Sequence, residues 1–236
     1  MELIEVEDDE GIRLITLRDP TRHNALTPEM ADALERAMRV PDTIRVAVLR
    51  GHGGSFSRGA SAEVLHDLHA GRIRPSELTL PRALLGAEIP VIAAMEGHAI
   101  GGGFVLGLSA DIVLIARESR YGATFMDLGF TPGMGATHLL ERAMSVVQAH
   151  EMLLGAEPKR GADLSGHGFN AVLPRSEVWP HALELARRLA DKPREALVLL
   201  KGALARPWRD RFEAAHTHEA RMHALCFEKG THDHAR

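Results

Sequence analysis

Gly97-His98-Ala99-Ile100-Gly101-Gly102-Gly103-Phe104-Val105-Leu106-Gly107 is the segment that decides how this chain folds. One apolar run typical of a strand, residues 89–95, precedes it, and another, residues 110–116, follows it. Three successive glycines at a helix start expose bare backbone to a ligand, and the first N–H groups of a helix have no partner within it. Such donors, with the positive end of the helix dipole behind them, suit an oxygen that becomes negative during a reaction. An isolated glycine triplet is equally consistent with a tight packing turn.

A second turn of small residues, Phe56-Ser57-Arg58-Gly59-Ala60-Ser61, comes after the strand-like run of residues 44–50. Two glycine-bearing turns, each closing a strand and opening a helix, can direct two N–H groups at one carbonyl oxygen. The pair therefore indicates an oxyanion hole.

With three further segments, these turns resemble the crotonase (enoyl-CoA hydratase/isomerase) superfamily, from about residue 4 to residue 227. The segments are Arg22-His23-Asn24-Ala25-Leu26-Thr27, Tyr121-Gly122-Ala123 and Gly129-Phe130-Thr131-Pro132-Gly133-Met134-Gly135-Ala136-Thr137. The resemblance implies an α/β fold, the crotonase spiral of stacked ββα units with a helical C-terminal part. Residues 1–144 are expected to form the spiral core with the oxyanion hole. Residues 145–236, in the same continuous domain, are expected to cover the site and mediate assembly into a homotrimer or a dimer of trimers.

The composition is that of an ordinary globular protein, with 236 residues of which 45% are hydrophobic and 25% charged. The formal net charge of −4 argues against nucleic acid as the main partner. The single cysteine, Cys226, excludes an internal disulfide and suits a reducing compartment. The acidic N-terminus lacks a signal-peptide pattern, and no uncharged apolar run reaches transmembrane length. We therefore expect a cytoplasmic protein without a membrane span.

The repeated order of strand, turn and helix predicts a largely parallel sheet flanked by helices. Residues 3–6 and 12–17 are expected to pair as a hairpin around the acidic turn Asp8-Asp9-Glu10-Gly11. Thr27 followed by Pro28 is typical of a helix start. The predicted C-terminal helices are residues 145–154, 179–190, 193–204 and 210–227, and residues 66–79 are predicted to form a mobile flap beside the site.

The two glutamates that crotonase hydratases use to activate and protonate water are missing here. Alignment on the glycine triplet places the first at Val105, and alignment on the two later motifs places the second at Phe125. Apolar side chains cannot exchange protons, which excludes hydration or isomerisation by that pair. A pocket with an oxyanion hole and apolar walls suits decarboxylation, because loss of CO₂ leaves a carbanion that a thioester can hold as an enolate.

A closer resemblance agrees with this chemistry. Residues 56–61, 94–98, 106–111 and 126–137 are similar to the decarboxylating enoyl hydratase-like enzymes of polyketide β-branching cassettes. Those enzymes convert 3-methylglutaconyl on an acyl carrier protein to a 3-methylcrotonyl-type thioester. The resemblance implies a lyase that needs no metal and no cofactor beyond the phosphopantetheine of the carrier protein.

The resemblance also assigns site residues. Ala60 and Gly102 supply the oxyanion-hole N–H groups, and His223 matches a histidine at the active site of the decarboxylases. His223 lies on the inward stripe of the predicted last helix. Relatives carry a flap lysine for the substrate carboxylate, whereas this chain has no lysine before residue 159. Arg72 is the expected replacement and Arg74 its rival. Expected substrate contacts are Ala25, Gly101, Val105, Phe125 and Phe130.

Several alternatives stay open at this stage. Another crotonase reaction is conceivable, either thioester hydrolysis or isomerisation by Asp127 or His138. A catalytically silent trimeric scaffold that docks a carrier protein is a third hypothesis. A zinc site at His216, Glu219 and His223 has suitable spacing, although Glu219 is expected to face solvent or another subunit. Asp111 is expected to be structural, and a basic patch of Arg72, Arg74 and Arg82 is expected to dock the acidic carrier.

Overall fold

The computed structural model describes residues 2–70, 72–73, 80–164, 166 and 168–228. Its strands are β1 (Ile4–Asp9), β2 (Ile12–Leu17), β3 (Val46–Gly51), β4 (Ser55–Ser57), β5 (Val91–Met95), β6 (His98–Ile100), β7 (Ile112–Ala116), β8 (Arg120–Gly122), β9 (Lys159–Arg160) and β10 (Ala171–Leu173). Its helices are α1 (Pro28–Ala37), α2 (Ala62–His69), α3 (Leu80–Leu85), α4 (Gly102–Leu108), α5 (Ala136–Ala143), α6 (Val146–Gly155), α7 (Arg175–Ala190) and α8 (Arg194–Glu228).

The strands form two sheets rather than one. The larger has the order β1-β2-β3-β5-β7-β10 and is parallel except where β1 pairs with β2. The smaller has the order β4-β6-β8-β9 and is antiparallel between β8 and β9. From β3 to β8 the chain alternates between the two sheets, so each turn of the spiral gives one strand to each. This is the stacked ββα arrangement that the family resemblance implies.

The central strands of the large sheet are buried on both faces. Alternate residues of β3 belong to two different cores: Val46 and Val48 face α7, whereas Ala47 and Leu49 face the small sheet and the other helices. Helix α7 covers its face with small residues one helical turn apart, Val178, Ala182, Ala186 and Ala190. Small side chains bring the helix close to the sheet, which secures the strands whose ends carry the site.

Two local predictions near the N-terminus have different outcomes. The cap is confirmed, because Thr27 Oγ1 accepts a hydrogen bond from the Met30 N–H at 3.2 Å. The acidic turn was predicted too long, because Asp8 and Asp9 continue β1 and the loop is Glu10-Gly11 alone. Both loop residues have positive φ, +45° and +85°, as a two-residue type I′ hairpin turn requires.

The prediction of two separate C-terminal helices, 193–204 and 210–227, was wrong. One helix, α8, runs through both segments with Pro207 inside it. An interior proline removes a hydrogen bond and costs about 3 kcal/mol, but side chains on both sides of it are fixed to the body. Lys201 is anchored below the proline, and Phe212 packs into the core above it. Tertiary contacts thus override the local signal.

The flap and α7 also differ from prediction. Residues 66–69 belong to the regular helix α2, and residues 71 and 74–79 lie outside the described residues. Helix α7 begins at Arg175, four residues earlier than predicted. In the part of the chain that is described, no helix combines the length and apolar character that a bilayer crossing demands.

Asp111 is structural, as predicted. Its carboxylate accepts two hydrogen bonds from Lys201 Nζ, at 2.6 and 2.7 Å, and one from the Val91 N–H at 2.9 Å. Lys201 is 4% exposed, and burial lowers the pKa of its ammonium while the Asp111 charge opposes that effect. The pair fixes α8 to the strands β5 and β7.

We expect Asp111→Asn to lower the free energy of unfolding by about 3 kcal/mol, because it leaves the buried Lys201 ammonium without a counter-charge. Urea denaturation measures the loss. The double variant Asp111→Asn/Lys201→Met is the matched control and is expected to recover part of the stability, since the buried charge is gone. A loss below about 1 kcal/mol in the single variant would contradict this account.

Candidate active site

The glycine triplet forms the first wall of the site. β6 ends at Ile100, and Gly101 takes φ +54° and ψ −126°, a conformation that is strained for residues with a side chain. The Gly101 carbonyl accepts hydrogen bonds from the N–H groups of Phe104 and Val105. The Gly102 N–H donates in none of the hydrogen bonds formed by the described residues, so it is available at the helix N-terminus.

The second turn lies directly against the first. Gly59 has φ +80°, and a Cβ placed on it would lie 2.7 Å from the Ile100 oxygen and 3.2 Å from the Gly102 nitrogen. The Gly59 carbonyl accepts from the Leu26 N–H at 2.7 Å, which fixes the turn against residues 25–26. The Ala60 N–H, like that of Gly102, is not used as a donor within the described part of the chain. An oxyanion hole consists of two such adjacent main-chain N–H donors.

A cavity of about 510 Å³ opens beside these turns. Seven of the residues singled out from the sequence line it: Ala25, Ala60, Gly101, Gly102, Phe125, Phe130 and His223. The two phenylalanine rings meet edge to face with centroids 6.2 Å apart. The position of the second family glutamate is thus an apolar wall of this cavity. Val105 is fully buried in the core and is not among the lining residues, so its contact with substrate stays a prediction.

His223 brings an imidazole from α8 to the cavity. It is 2% exposed, and its ring packs on Phe130 with centroids 5.7 Å apart. Its Nδ1 lies 3.0 Å from the Glu219 main-chain carbonyl. A carbonyl only accepts, so Nδ1 carries the hydrogen, and Nε2 is the nitrogen that gains or loses a proton. Burial lowers the pKa of His223, the hydrogen bond to the Glu219 carbonyl opposes this, and nearby His216 lowers it further.

Glu219 corrects the prediction of a solvent-facing or inter-subunit residue. It is 1% exposed, and its carboxylate accepts hydrogen bonds from the Gly135 N–H at 2.6 Å and from the Thr137 N–H and Oγ1 at 2.9 and 2.7 Å. Burial raises the pKa of Glu219, and the three donors counteract that rise. The carboxylate joins α8 to the start of α5 four residues before His223. It therefore positions the imidazole, and its spacing in sequence gave no signal of this contact.

The arginines predicted to meet the substrate or the carrier have partners of their own. Arg72 Nε lies 2.8 Å from the Asp67 carboxylate, and Arg72 is not among the residues that line the cavity. Arg82 forms two hydrogen bonds of 2.7 Å with Glu213 on α8. Arg74 lies outside the described residues. A catalytic role for Arg72 stays a prediction that the observed ion pair does not favour.

Other ionisable residues line the cavity instead: Arg22, His23, Arg58 and Glu63. Arg58 was missed, although it directly precedes Gly59-Ala60 in the motif that was quoted for the oxyanion hole. Glu63 is the one carboxylate among the described lining residues. Hydrogen bonds from its own backbone N–H and from Ser61, at the start of α2, lower the pKa of Glu63. A lowered pKa makes it a weak general base.

The alternative acid–base residues lie elsewhere. Asp127 is exposed on a 3₁₀ turn, Met126–Leu128. His138 stacks on the Trp208 ring, with centroids 5.4 Å apart. Neither lines the cavity. Within the described residues, no three potential ligands converge as a metal site, the set of His216, Glu219 and His223 included.

Comparisons with known proteins point in one direction. The family model for enoyl-CoA hydratase/isomerase matches residues 7–234. The bacillaene synthase decarboxylase PksI of Bacillus subtilis is 43% identical over 231 residues, covering 96% of this chain and 92% of that protein. A probable enoyl-CoA hydratase, EchA14 of Mycobacterium tuberculosis, is 35% identical, covering 83% of this chain and 78% of that protein.

Solved structures agree. A structure from a dehydratase/decarboxylase enzyme couple involved in polyketide β-branching superposes with a TM-score of 0.91 at 39% identity, covering 99% of both chains. The ECH2 decarboxylase domain of CurF from Lyngbya majuscula superposes with a TM-score of 0.90 at 34% identity, covering 96% of this chain and 95% of that one.

We expect Glu219→Gln to displace His223, because an amide offers one acceptor oxygen where three donors need partners. The pKa of His223, followed by NMR of its ring, is expected to rise toward the ordinary value near 6.5 as the ring becomes more exposed to water. Unfolding free energy is expected to fall by about 2 kcal/mol.

Glu213→Gln is the matched control, since it removes an exposed carboxylate of the same helix and its ion pair with Arg82. It is expected to leave the His223 pKa unchanged. Equal effects of the two variants on His223 would show that Glu219 has no specific positioning role.

Proposed function

This chain belongs to the enoyl-CoA hydratase/isomerase family, and we propose that it decarboxylates 3-methylglutaconyl-acyl carrier protein to a 3-methylcrotonyl-type thioester during polyketide β-branching. One observation carries the proposal. The cavity joins two available amide donors to an apolar wall at Phe125, where hydratases of the family carry a glutamate. It can stabilise an enolate and lacks the paired carboxylates that hydration needs.

The reaction follows from the groups that surround this cavity. The thioester oxygen accepts hydrogen bonds from the N–H groups of Ala60 and Gly102. The bond between the distal carboxylate and its carbon breaks, CO₂ leaves, and the electron pair moves through the conjugated double bond onto the thioester oxygen as a dienolate. A proton then returns to carbon and the thioester carbonyl reforms.

His223 serves the carboxylate end or the reprotonation step. Since Nδ1 donates to the Glu219 carbonyl, a neutral ring presents an acceptor at Nε2, and a protonated ring presents a donor. Only the protonated ring can bind the substrate carboxylate or supply the proton. The carboxylate itself favours that form, because an opposite charge nearby raises the pKa of an imidazole.

The names of the relatives support the pathway and the carrier. PksI is a bacillaene synthase decarboxylase, and the structural neighbours come from polyketide β-branching and from CurF. Many family members that use coenzyme A carry Gly-Ala-Asp-Ile-Lys at this turn, whereas this chain has Gly59-Ala60-Ser61-Ala62-Glu63, which departs from the pattern of an adenine pocket. This departure favours a substrate on a carrier protein over one on coenzyme A.

A trimer is part of the same proposal. Large apolar side chains are exposed on α6 and α8, among them Val147 at 77%, Leu154 at 75% and Leu199 at 75%. Large exposed apolar side chains of this kind suit an interface between subunits. It is consistent with the role that the resemblance gives to the C-terminal helices.

The alternatives have less support. Isomerisation by Asp127 or His138 would need side chains that do not line the cavity. A silent scaffold would need neither the two available amide donors nor a buried histidine beside them. Thioester hydrolysis is distinguished by its products.

Incubation of the purified protein with 3-methylglutaconyl-carrier protein, followed by mass spectrometry of the carrier, tests the function. We expect loss of CO₂ from the acyl group with the thioester intact. Release of free carrier thiol would indicate hydrolysis, and a shifted double bond without a mass change would indicate isomerisation. Binding without turnover above background would indicate a scaffold.

We expect His223→Gln to lower decarboxylation about 10²- to 10⁴-fold while the protein still folds. In the wild type, kcat/KM is expected to fall as pH rises through the free-enzyme pKa of His223, which lies below 6.5 because burial disfavours the imidazolium. The corresponding limb of kcat is expected at higher pH, since bound substrate raises that pKa. A folded variant with wild-type rate, or a wild-type pH profile that is flat from pH 5 to 8, would show that His223 has only a structural role.

A further inference from the structure

We call the cavity of about 510 Å³ beside the two turns the acyl cavity. A second cavity, of about 380 Å³, adjoins it. We call it the cationic cavity and define it by four of its lining residues, His23, Arg58, His98 and Arg120. His23, Arg58 and Ile100 line both cavities, so the two share a wall. The other described lining residues are Gly53, Gly54 and Ser55, and none of the set is a carboxylate.

The small sheet places these groups together. Ser55 of β4 is the register partner of His98 on β6. The Arg120 main-chain N–H, on the neighbouring strand β8, donates to His98 Nδ1 at 2.9 Å. Because Nδ1 accepts, the neutral imidazole carries its hydrogen on Nε2 and is a donor there. The two arginines and this histidine therefore offer hydrogen-bond donors to one concave surface.

No carboxylate of the described residues pairs with the arginines of this surface. The side chains of Arg58 and Arg120 form no hydrogen bond or ion pair in the described part of the protein, in contrast to Arg72 and Arg82. Burial, and then the charges of Arg175, Arg120 and Arg58, lower the pKa of His98. The potential in the cavity is therefore positive, and an anion would gain from entering it.

We propose that the cationic cavity binds the phosphate of the phosphopantetheine arm that carries the acyl group. The inference rests on the proposed function, since it assumes a thioester in the acyl cavity. Arginine is the side chain best suited to a phosphate, because its planar fork of N–H groups matches the phosphate oxygens. The arm would cross the shared wall past His23 and Arg58. Its thioester end would then lie in the acyl cavity and its phosphate in the cationic cavity.

Three thioesters of 3-methylglutaconate separate the phosphate from the rest of the carrier. They are the acyl carrier protein, 4′-phosphopantetheine, which keeps the phosphate alone, and pantetheine, which has none. We expect Arg58→Gln and Arg120→Gln each to raise KM about tenfold for the first two substrates, the loss of one charge-assisted hydrogen bond. KM for the pantetheine thioester is expected to stay within about twofold in Arg120→Gln, because Arg120 lines the cationic cavity and not the acyl cavity.

Arg39→Gln is the control variant, since it removes an exposed arginine paired with Glu35 on α1; we expect it to change none of the three KM values. A rise for the carrier protein alone would overturn the proposal, because the arginines would then contact the carrier's protein surface. Equal rises for all three substrates, or none, would overturn it too. So would a change of oligomeric state in the variants, which would make the arginines a subunit contact.

Binding can be measured without turnover, which separates this inference from the function itself. In a titration of the wild type with 4′-phosphopantetheine, we expect the ³¹P resonance to shift, and we expect each arginine variant to weaken the binding that the shift reports about tenfold. If the wild type decarboxylates none of the thioesters, the proposed function fails while the titration still decides the phosphate site. An unshifted resonance with an active enzyme would overturn the inference alone.

Discussion

The approach of two main-chain turns, with no side chain between them, is the constraint on which the rest of the structure depends. Gly59 and the Ile100–Gly102 segment come so close that an added Cβ would collide with backbone. The contact brings the end of β4 beside the end of β6, and it holds the two unused amide groups on one side of the cavity. The side chains that line the cavity surround this pair of donors, which are the main-chain N–H groups of Ala60 and Gly102.

The cavity also shows how one scaffold can exchange one reaction for another. Hydration needs groups that move protons to and from water, whereas decarboxylation needs a place for the electron pair and little else. Apolar residues at positions 105 and 125 therefore remove one chemistry without harming the amide pair. His223 enters from α8, a separate part of the chain, so in the proposed reaction the group that handles the proton is independent of the turns that bind the oxygen.

The features that could be predicted from the sequence are those with a local cause. The backbone conformation and close packing at Gly101 and Gly102 require glycine, so the residue type predicts the turn. In the same way, Thr27 followed by Pro28 predicts a capped helix start. The buried hydrogen bonds of Glu219 could not be predicted, because the three groups that donate them are more than 80 residues away in the sequence. The position of Arg72 after the first turn suggested a contact with the substrate, but Arg72 forms an ion pair with Asp67. The continuity of α8 through Pro207 depends on anchors at Lys201 and Phe212, which no local pattern reveals.

The position of His223 on the last helix has a consequence for how the protein acquires its activity. The two turns and the strands behind them come from the first half of the chain, and long-range contacts of this kind form slowly because distant segments must first meet. The N-terminal part of a chain nevertheless emerges first during synthesis, so the two turns can meet while His223 is still inside the ribosome. The nascent chain passes through a stage at which it could hold a thioester but lacks the group that handles its proton. Under the proposed function, activity requires α8 to be docked, because α8 carries His223.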